Sequence, residues 1–303
     1  MQQTNVIVVG AGPAGISSAI YLHRAGRAPL LIERAAPGGL LRNANLVENY
    51  PGFPEGITGP ELAALFKRQL ESLDIRVTLS DVKRVSAARG AFRVDTEAQA
   101  HSSRCVILAT GTRPRRIALK AGAGLVGTRL FSEIVDMPLT TIAGRRVVVI
   151  GGGDAAFDYG LNLANRGAEV TIASRSEPTC LPLLRERADL KGIRVMVGAT
   201  ADRVLLKKRE VFVGFRQKNR RAEVPGDYVL AACGREPNLD CLSKSLRMHI
   251  HIGDRIPETD VAGLYAVGDV VRGRHRQTAI AVGDGIHAGM MADEYLQRME
   301  DGR

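Results

Sequence analysis

A glycine-rich motif that occurs twice in the same register is the feature that most constrains the fold of this chain. The apolar run Val6–Val9 leads into the first copy, Gly10–Gly15, and Val147–Ile150 leads into the second copy, Gly151–Ala156. In such a turn the first glycine allows a tight strand-to-helix connection, the second lets a pyrophosphate approach the backbone, and a small third residue lets helix pack on strand. Each copy follows an apolar β-branched strand and precedes a helical stretch and a second strand, which an ordinary glycine-rich turn would not do. The sequence therefore predicts two dinucleotide-binding βαβ units.

The two copies differ at the end of the second strand. The first copy ends this strand on Glu33, whereas the second has Ser174 at the matching position, followed by Arg175. A carboxylate suits the free ribose hydroxyls of an adenosine and would repel a 2′-phosphate, whereas a serine removes that repulsion and a guanidinium attracts the phosphate. We therefore predict FAD at the first site and NADPH, in preference to NADH, at the second.

Composition excludes several classes of protein. The 303 residues leave room for two domains, and 45% apolar residues are normal for a soluble α/β protein. The four cysteines show neither a CxxC nor metal-ligand spacing, so we expect no disulfide framework and no metal site. No apolar run is long enough to span a membrane, and the first strand begins too early for a signal peptide. We expect a cytoplasmic protein.

The net charge of +10 is concentrated in two stretches, residues 113–116 and residues 207–221. Aromatic residues make up only 4% of the chain and no nucleic-acid-binding module is visible, so we expect no nucleic acid partner. Two interpretations of the second basic stretch remain. The basic stretch at 207–221 is either a solvated hairpin face, which we favour, or a docking surface for an acidic electron-transfer protein.

The order of strand and helix signals predicts an α/β fold with two Rossmann-like domains of the three-layer ββα type. The second βαβ unit interrupts the first domain. We therefore predict a discontinuous FAD-binding domain, formed by residues 1–116 and 244–303, around a continuous NAD(P)H-binding domain of residues 117–243. Within the first domain, the helical periodicity of Glu61–Leu73 predicts a helix.

Further motifs follow in a fixed order along the chain. They are Gly10–Gly15, Pro37–Leu40, Val47–Ile57, Gly59–Leu62, Ala109–Gly111, Gly151–Asp154, Gly234–Asn238, Gly268–Val270 and Arg276–Gln277. With these motifs the chain resembles the low-molecular-weight thioredoxin reductase family of two-dinucleotide flavoproteins over nearly its whole length. The resemblance implies FAD in the first domain, NAD(P)H in the second, and a homodimer.

The resemblance also implies a role for individual residues. The FAD pyrophosphate would face Gly10, Gly12 and Gly15, the adenosine ribose would face Glu33, and the stretch toward the flavin would include Gly38, Gly39, Leu40 and Asn49. Asp269 matches the acid that binds the ribitol, and Gln277 matches a residue near the flavin ring. The nicotinamide dinucleotide would lie on Gly151, Gly153 and Ala156, with Arg175 on its 2′-phosphate. Further implied cofactor-binding residues are Pro13, Ala14, Val82, Thr110, Gly111, Asp154, Gly234, Gly268, Arg276 and Thr278.

The chain departs from the family pattern at two places. Leu40 stands where the family often has Gln, which makes the flavin surroundings more apolar. More importantly, Ile134–Met137 occupies the position just before the second motif at which thioredoxin reductases carry their CxxC. A dithiol relay requires one thiol to attack a disulfide and a second to resolve it, and neither Ile nor Met can do this.

The leading hypothesis from the sequence is an enzyme that takes hydride from NADPH onto FAD. It then passes electrons directly to an external acceptor. The alternatives are a ferredoxin or flavodoxin–NADP reductase, a reductase of small disulfides, and a non-catalytic redox-sensing flavoprotein. The sequence assigns no catalytic acid or base.

Overall fold

The computed structural model describes residues 2–115, 119–122, 124–208, 210–217, 220–253 and 256–302. The strands are β1 Gln2–Val9, β2 Leu30–Glu33, β3 Val77–Leu79, β4 Val82–Ala88, β5 Ala91–Thr96, β6 Ala100–Leu108, β7 Thr112–Pro114, β8 Lys120–Ala121, β9 Leu130–Phe131, β10 Arg146–Ile150, β11 Glu169–Ser174, β12 Arg194–Val197, β13 Thr200–Lys207, β14 Glu210–Gln217, β15 Arg220–Gly226, β16 Tyr228–Ala231, β17 Arg235–Pro237 and β18 Leu264–Ala266. The α-helices are α1 Pro13–Arg24, α2 Gly59–Ser72, α3 Asp154–Asn165, α4 Pro182–Leu190, α5 Lys244–Arg247 and α6 Thr278–Glu300. Within these described ranges, no helix has the length and apolar character needed to cross a membrane.

The contacts divide the chain into two compact units. Unit 1 consists of Met1–Arg42, Val47–Arg113 and Glu236–Arg303, and unit 2 consists of Asn43–Leu46 and Pro114–Arg235. Each unit contains one copy of the glycine motif, placed between the first strand and the first helix of a βαβ unit. The predicted α/β fold with two Rossmann-like domains is confirmed.

The central sheet of unit 1 is mixed. Strands β3, β2, β1 and β6 lie side by side in parallel, and β18 pairs with β6 in the same direction. The long strand β6 serves two neighbours: its first half pairs with β5 in the antiparallel direction, and its second half, Val106–Leu108, pairs with β18. Strand β4 then pairs with β5 to complete a β4–β5–β6 meander.

Strand β1 is buried on both faces, which explains its continuous apolar sequence. Val6 and Val8 pack in the core formed with the helices, whereas Ile7 and Val9 pack in a second core that includes Phe92 of the meander. Because successive side chains of a strand point to opposite faces, one run of four apolar residues serves two layers.

The helices α1 and α6 lie unusually close together in unit 1. An added Cβ at Gly285 of α6 would lie 2.1 Å from the carbonyl oxygen of Ala14 and 2.2 Å from Ser17 Oγ. The hydroxyl of Ser18 donates to the carbonyl of Gly285 at 2.8 Å, and that of Ser17 donates to the carbonyl of Val282 at 3.0 Å. Only a glycine lets the two backbones approach this closely, and the two serines link them by hydrogen bonds.

Unit 2 repeats the same arrangement of layers. Its parallel sheet has the order β12-β11-β10-β16-β9, and a second sheet has the order β15-β14-β13-β8. Val147 and Val149 of β10 share a core with Phe157 of α3, whereas Val148 shares a core with Val213 of the second sheet. The parallel sheet of unit 2 therefore lies between a helical layer and a mostly antiparallel sheet.

The close approach of α1 and α6 predicts that replacement of Gly285 by alanine destabilises unit 1. We expect Gly285→Ala to lower the free energy of unfolding by about 1–3 kcal/mol, because the methyl group overpacks a backbone contact. Gly283→Ala on the same helix is the matched control, since an added Cβ there meets no atom within 4 Å. Thermal and denaturant unfolding of the two variants should differ, and equal stability would contradict this packing.

Candidate functional site

The first glycine loop of unit 1 is shaped by two close backbone contacts. An added Cβ at Gly15 would lie 1.8 Å from the carbonyl oxygen of Gly10, and one at Gly10 would lie 2.4 Å from that of Ala109. Gly10 also has a φ of +102°, a conformation that L side chains rarely adopt. Glycine is therefore required at the first and third positions for folding itself.

Gly12 has a different role, because nothing lies within 4 Å of the position where its Cβ would stand. It is the N-cap of α1, and Pro13, Ala14 and Gly15 form the first turn. Among the described residues no side chain caps this helix start, so its first N–H groups point into the open space with the positive end of the helix dipole. A helix start of this kind fits a pyrophosphate.

Glu33 at the end of β2 braces the same loop. Its side chain is largely buried, and its carboxylate accepts the N–H of Ala11 at 2.8 Å and the N–H of Ala35 at 3.0 Å. Each carboxylate oxygen retains a lone pair for a further hydrogen bond, such as one from a ribose hydroxyl. The sequence predicted contact with the ribose but not the bonds to the backbone of the loop.

The Pro37–Leu40 stretch lies against this loop. The N–H of Gly38 donates to the carbonyl of Ala11 at 2.7 Å, and an added Cβ at Gly39 would lie 3.1 Å from Gly12 Cα. Both glycines have positive φ, +106° and +53°. Leu40, the next residue, is half-buried at the start of a 3₁₀ turn.

The remaining unit 1 candidates come from distant parts of the chain. Gly268 lies against the first turn of α1, because its added Cβ would be 2.9 Å from Ala14 Cβ, and Asp269 follows it directly. The amide of Asn49 donates to Gln277 Oε1 at 2.8 Å, and Gln277 is the N-cap of α6. Arg276 and Thr278 flank this N-cap on either side.

Three more candidates, Thr110, Gly111 and Val82, lie at or beside strand ends of unit 1. The hydroxyl of Thr110 donates to the carbonyl of Asn238 at 2.7 Å, and the carbonyl of Gly111 accepts the N–H of Asn238 at 3.0 Å. Val82 opens β4, two residues after Ser80, whose N–H donates to the backbone carbonyl of Glu33 at 2.9 Å.

The glycine loop of unit 2 has the same construction. An added Cβ at Gly151 would lie 2.4 Å from the carbonyl oxygen of Ala232 and 3.0 Å from Ala156 Cβ, whereas one at Gly153 would meet nothing within 4 Å. Gly153 is the N-cap of α3, and no side chain of the described residues caps that helix start. The loop therefore also fits a pyrophosphate.

The second glycine loop is covered by a segment that the sequence motifs did not reveal. The N–H of Thr179 donates to the carbonyl of Gly152 at 2.7 Å, and the N–H of Leu181 donates to Asp154 Oδ1 at 2.8 Å. The segment beyond β11 thus folds back onto the loop through its own backbone N–H groups, which no residue pattern records. Ser174 is buried against Gly152, and Arg175 is exposed immediately after it.

Gly234, the remaining unit 2 candidate, follows the strand β16 beside the loop. Its φ is +98°, and its carbonyl accepts the N–H of Arg115 at 3.0 Å.

The position matching the CxxC of the family is part of the core of unit 2. Ile134–Asp136 forms a 3₁₀ turn, and the side chains of Ile134 and Met137 are 2% and 5% exposed. Glu133, just before the turn, forms a 2.6 Å ion pair with Arg235 and accepts a hydrogen bond from the hydroxyl of Tyr159 at 3.4 Å. Burial and the neighbouring Glu133 carboxylate raise the pKa of Tyr159, which therefore stays protonated.

Asp158 of α3 is the carboxyl of unit 2 with the most strongly perturbed titration among the described residues. Burial raises the pKa of Asp158 to about 6, although it accepts hydrogen bonds from the backbone of Asn45 and Leu46. Because Asp158 Oδ2 accepts the N–H of Asn45 at 2.8 Å, this carboxyl anchors the Asn43–Leu46 segment in unit 2.

The open space at the second glycine of each loop predicts that a methyl group added there weakens the binding of one cofactor and leaves the other bound. Gly12→Ala should fold normally, because its added methyl meets no protein atom and its φ of −76° suits any residue, but should raise the Kd for FAD at least about tenfold. Gly153→Ala should retain FAD and weaken NADPH instead. FAD content and nucleotide titrations measure both effects. Wild-type FAD affinity in Gly12→Ala would contradict the assignment.

Comparison with known proteins agrees with this geometry. Residues 4–285 match the family model described as pyridine nucleotide-disulphide oxidoreductase. The chain is 30% identical to thioredoxin reductase from Bacillus subtilis, over 98% of this chain and 96% of that protein. It is 32% identical to the bifunctional thioredoxin reductase/thioredoxin of Mycobacterium leprae, of which it spans 65%. The crystal structure of Lactococcus lactis thioredoxin reductase superposes with a TM-score of 0.88 at 27% identity, covering 97% of this chain and 99% of that one.

The family uses FAD and NADPH, so the predicted cofactors are confirmed at the level of the family, as is the prediction of an oxidoreductase. The chain belongs to the pyridine nucleotide-disulphide oxidoreductase family and is a thioredoxin reductase-like enzyme of that family.

Proposed function

We propose that this protein is an FAD-dependent NADPH oxidoreductase that delivers electrons directly to an external acceptor, without an internal dithiol. The observation that carries the proposal is the replacement of the family's CxxC by Ile134–Met137. Both end residues of this segment are buried side chains of the unit 2 core. They contribute packing at a position where a thiol relay would need two reactive sulfurs.

The four cysteines of the chain do not offer a substitute pair within either unit. In unit 1, Cys105 packs on the helical face of the sheet and Cys241 on the face covered by the meander. In unit 2, Cys180 packs on the helical face and Cys233 on the opposite face. A disulfide needs Cα atoms within about 7 Å of each other, and the packed layers on the two sides of a sheet are too far apart for this.

The cysteines are also poor nucleophiles. Burial raises the pKa of all four thiols, that of Cys241 to about 11. The thiol of Cys233 donates a hydrogen bond to the carbonyl of Ile150 at 3.4 Å, which favours its protonated form. Thiolates attack disulfides, whereas protonated thiols do not.

The protein itself contributes binding and positioning to this chemistry. Bound FAD supplies the two-electron chemistry between NADPH and the acceptor. The helix starts at Gly12 and Gly153 hold the two pyrophosphates, Glu33 holds the adenosine ribose of FAD, and Arg175 favours the 2′-phosphate of NADPH. By the same resemblance we propose a homodimer that works in the cytoplasm.

Among acceptors, we rank a small disulfide first, because the family model that matches the chain describes disulphide oxidoreductases. The alternative is an acidic electron-transfer protein such as ferredoxin or flavodoxin, docked on the basic strands of unit 2. Glu223 pairs with Lys207 at 2.5 Å and with Arg203 at 3.4 Å, and Asp202 lies 3.7 Å from Arg216. These pairs neutralise part of the positive charge, which weakens the case for an acidic protein.

The proposal predicts that NADPH oxidation is supported by direct acceptors and not by thioredoxin. The assay compares small disulfides, ferredoxin, a quinone and thioredoxin with insulin, using the FAD-loaded protein. A Cys180→Ser/Cys233→Ser variant should retain its rate with the best acceptor. Rapid thioredoxin reduction by the wild type, or loss of activity in the serine variant, would contradict a mechanism without a dithiol.

A further inference from the structure

An ion pair between a buried carboxylate and a half-buried guanidinium in unit 1 lies outside every cofactor motif found in the sequence. Asp284 of α6 is 6% exposed, and both of its carboxylate oxygens accept from the guanidinium of Arg272. The bond from Arg272 Nε to Asp284 Oδ2 measures 2.8 Å, and Nη2 donates to Oδ1. This bidentate arrangement is the strongest geometry available to a carboxylate and a guanidinium.

Asp284 has a third contact, with the backbone of a turn predicted to hold the cofactor. The N–H of Gly268 donates to Asp284 Oδ2 at 3.2 Å. Gly268 opens the 3₁₀ turn Gly268–Val270, adopts a φ of +71°, and lies against Ala14 in the first turn of α1. The carboxylate thus links α6 to the turn that presents Asp269, at the place where this turn packs against the first glycine loop.

We propose that Asp284 is a positioning residue for FAD. It acts through Arg272 and the N–H of Gly268 to hold the Gly268–Val270 turn, so that Asp269 and the start of α1 keep a fixed separation. The two groups would then engage the ribitol and the pyrophosphate of one cofactor together. The inference rests on the proposed binding of FAD in unit 1 and is independent of the identity of the acceptor.

The energetics of such an ion pair support a role in geometry. Desolvation of the Asp284 carboxylate and solvent screening of the half-exposed Arg272 guanidinium offset most of their mutual attraction, so that the pair contributes little net stability. Because the Asp284 carboxylate also bonds to the backbone of the Gly268–Val270 turn, the pair instead fixes this turn before FAD binds. Such preorganisation improves affinity because less order has to be created on binding.

The same helix provides a matched control. Asp293 of α6 is 8% exposed and accepts from Arg27 Nε at 2.7 Å, and Arg27 also pairs with Glu300 at 2.6 Å. This second aspartate–arginine pair joins α6 to the chain just beyond the C-terminal end of α1, away from the glycine loop at the N-terminal end of that helix. A purely structural role for such pairs predicts the same consequences at both positions.

The test compares Asp284→Asn with Asp293→Asn. FAD is titrated into each apoprotein by fluorescence, and the visible circular dichroism of bound flavin is recorded. We expect Asp284→Asn to raise the Kd for FAD about tenfold or more and to change the flavin dichroism, and Asp293→Asn to leave both nearly unchanged while lowering thermal stability.

Equal effects of the two variants on the Kd would overturn the proposal and leave only a structural role. If Asp284→Asn does not fold, Arg272→Lys is compared with Arg27→Lys, because lysine keeps the charge but loses the bidentate geometry. The same outcomes then apply to that pair. Failure of the wild-type apoprotein to bind FAD would instead contradict the proposed function.

Discussion

The contact between the backbone at the end of a central strand and the first turn of the following helix is the constraint on which both units depend. In unit 1 the backbone at Gly15 touches Gly10, and in unit 2 the backbone of Gly151 touches Ala232 and the side chain of Ala156. These contacts fix the helix start at the carboxyl edge of the sheet, where unsatisfied N–H groups and the helix dipole create an anion site. The glycines at the second positions then leave that site open.

In unit 1, further contacts hold the glycine loop from several sides. Glu33 holds the loop from the side of β2, while Gly38 and Gly39 pack against it from the next segment of the chain. Helix α6 approaches α1 through Gly285 and carries Asp284 to the Gly268–Val270 turn. Residues from both ends of the sequence therefore surround one glycine loop.

Local patterns in the sequence were sufficient to predict the two βαβ units, the helix near Glu61–Leu73 and the residues of both glycine loops. They succeed because strand burial on two faces requires continuous apolar runs, and because tight turns require glycine at fixed positions. Three features were not predicted. They are the bonds of Glu33 to the loop backbone, the covering segment at Thr179 and Leu181, and the pair Arg272–Asp284. Each of them depends on groups that only the folded chain brings together. In the first two the donors are backbone N–H groups, which leave no trace in residue identity.

The loss of the CxxC is visible in the sequence, but its consequence requires the fold. Ile134 and Met137 are core side chains of unit 2, and the two cysteines of each unit lie on opposite faces of its sheet. The position that serves redox chemistry in thioredoxin reductases thus serves packing in this protein. In the mechanism we propose, electrons enter through NADPH by the route common to the family and leave to an acceptor that reaches the flavin.

Anaerobic titration of the FAD-loaded protein with NADPH, combined with a count of accessible thiols after denaturation, tests this central claim most directly. A protein that stores electrons only on its flavin takes up two electrons, so one equivalent of NADPH per FAD should bleach the flavin completely and the number of thiols should not change. Consumption of two equivalents, with the appearance of two additional thiols, would show a redox-active disulfide and contradict the account.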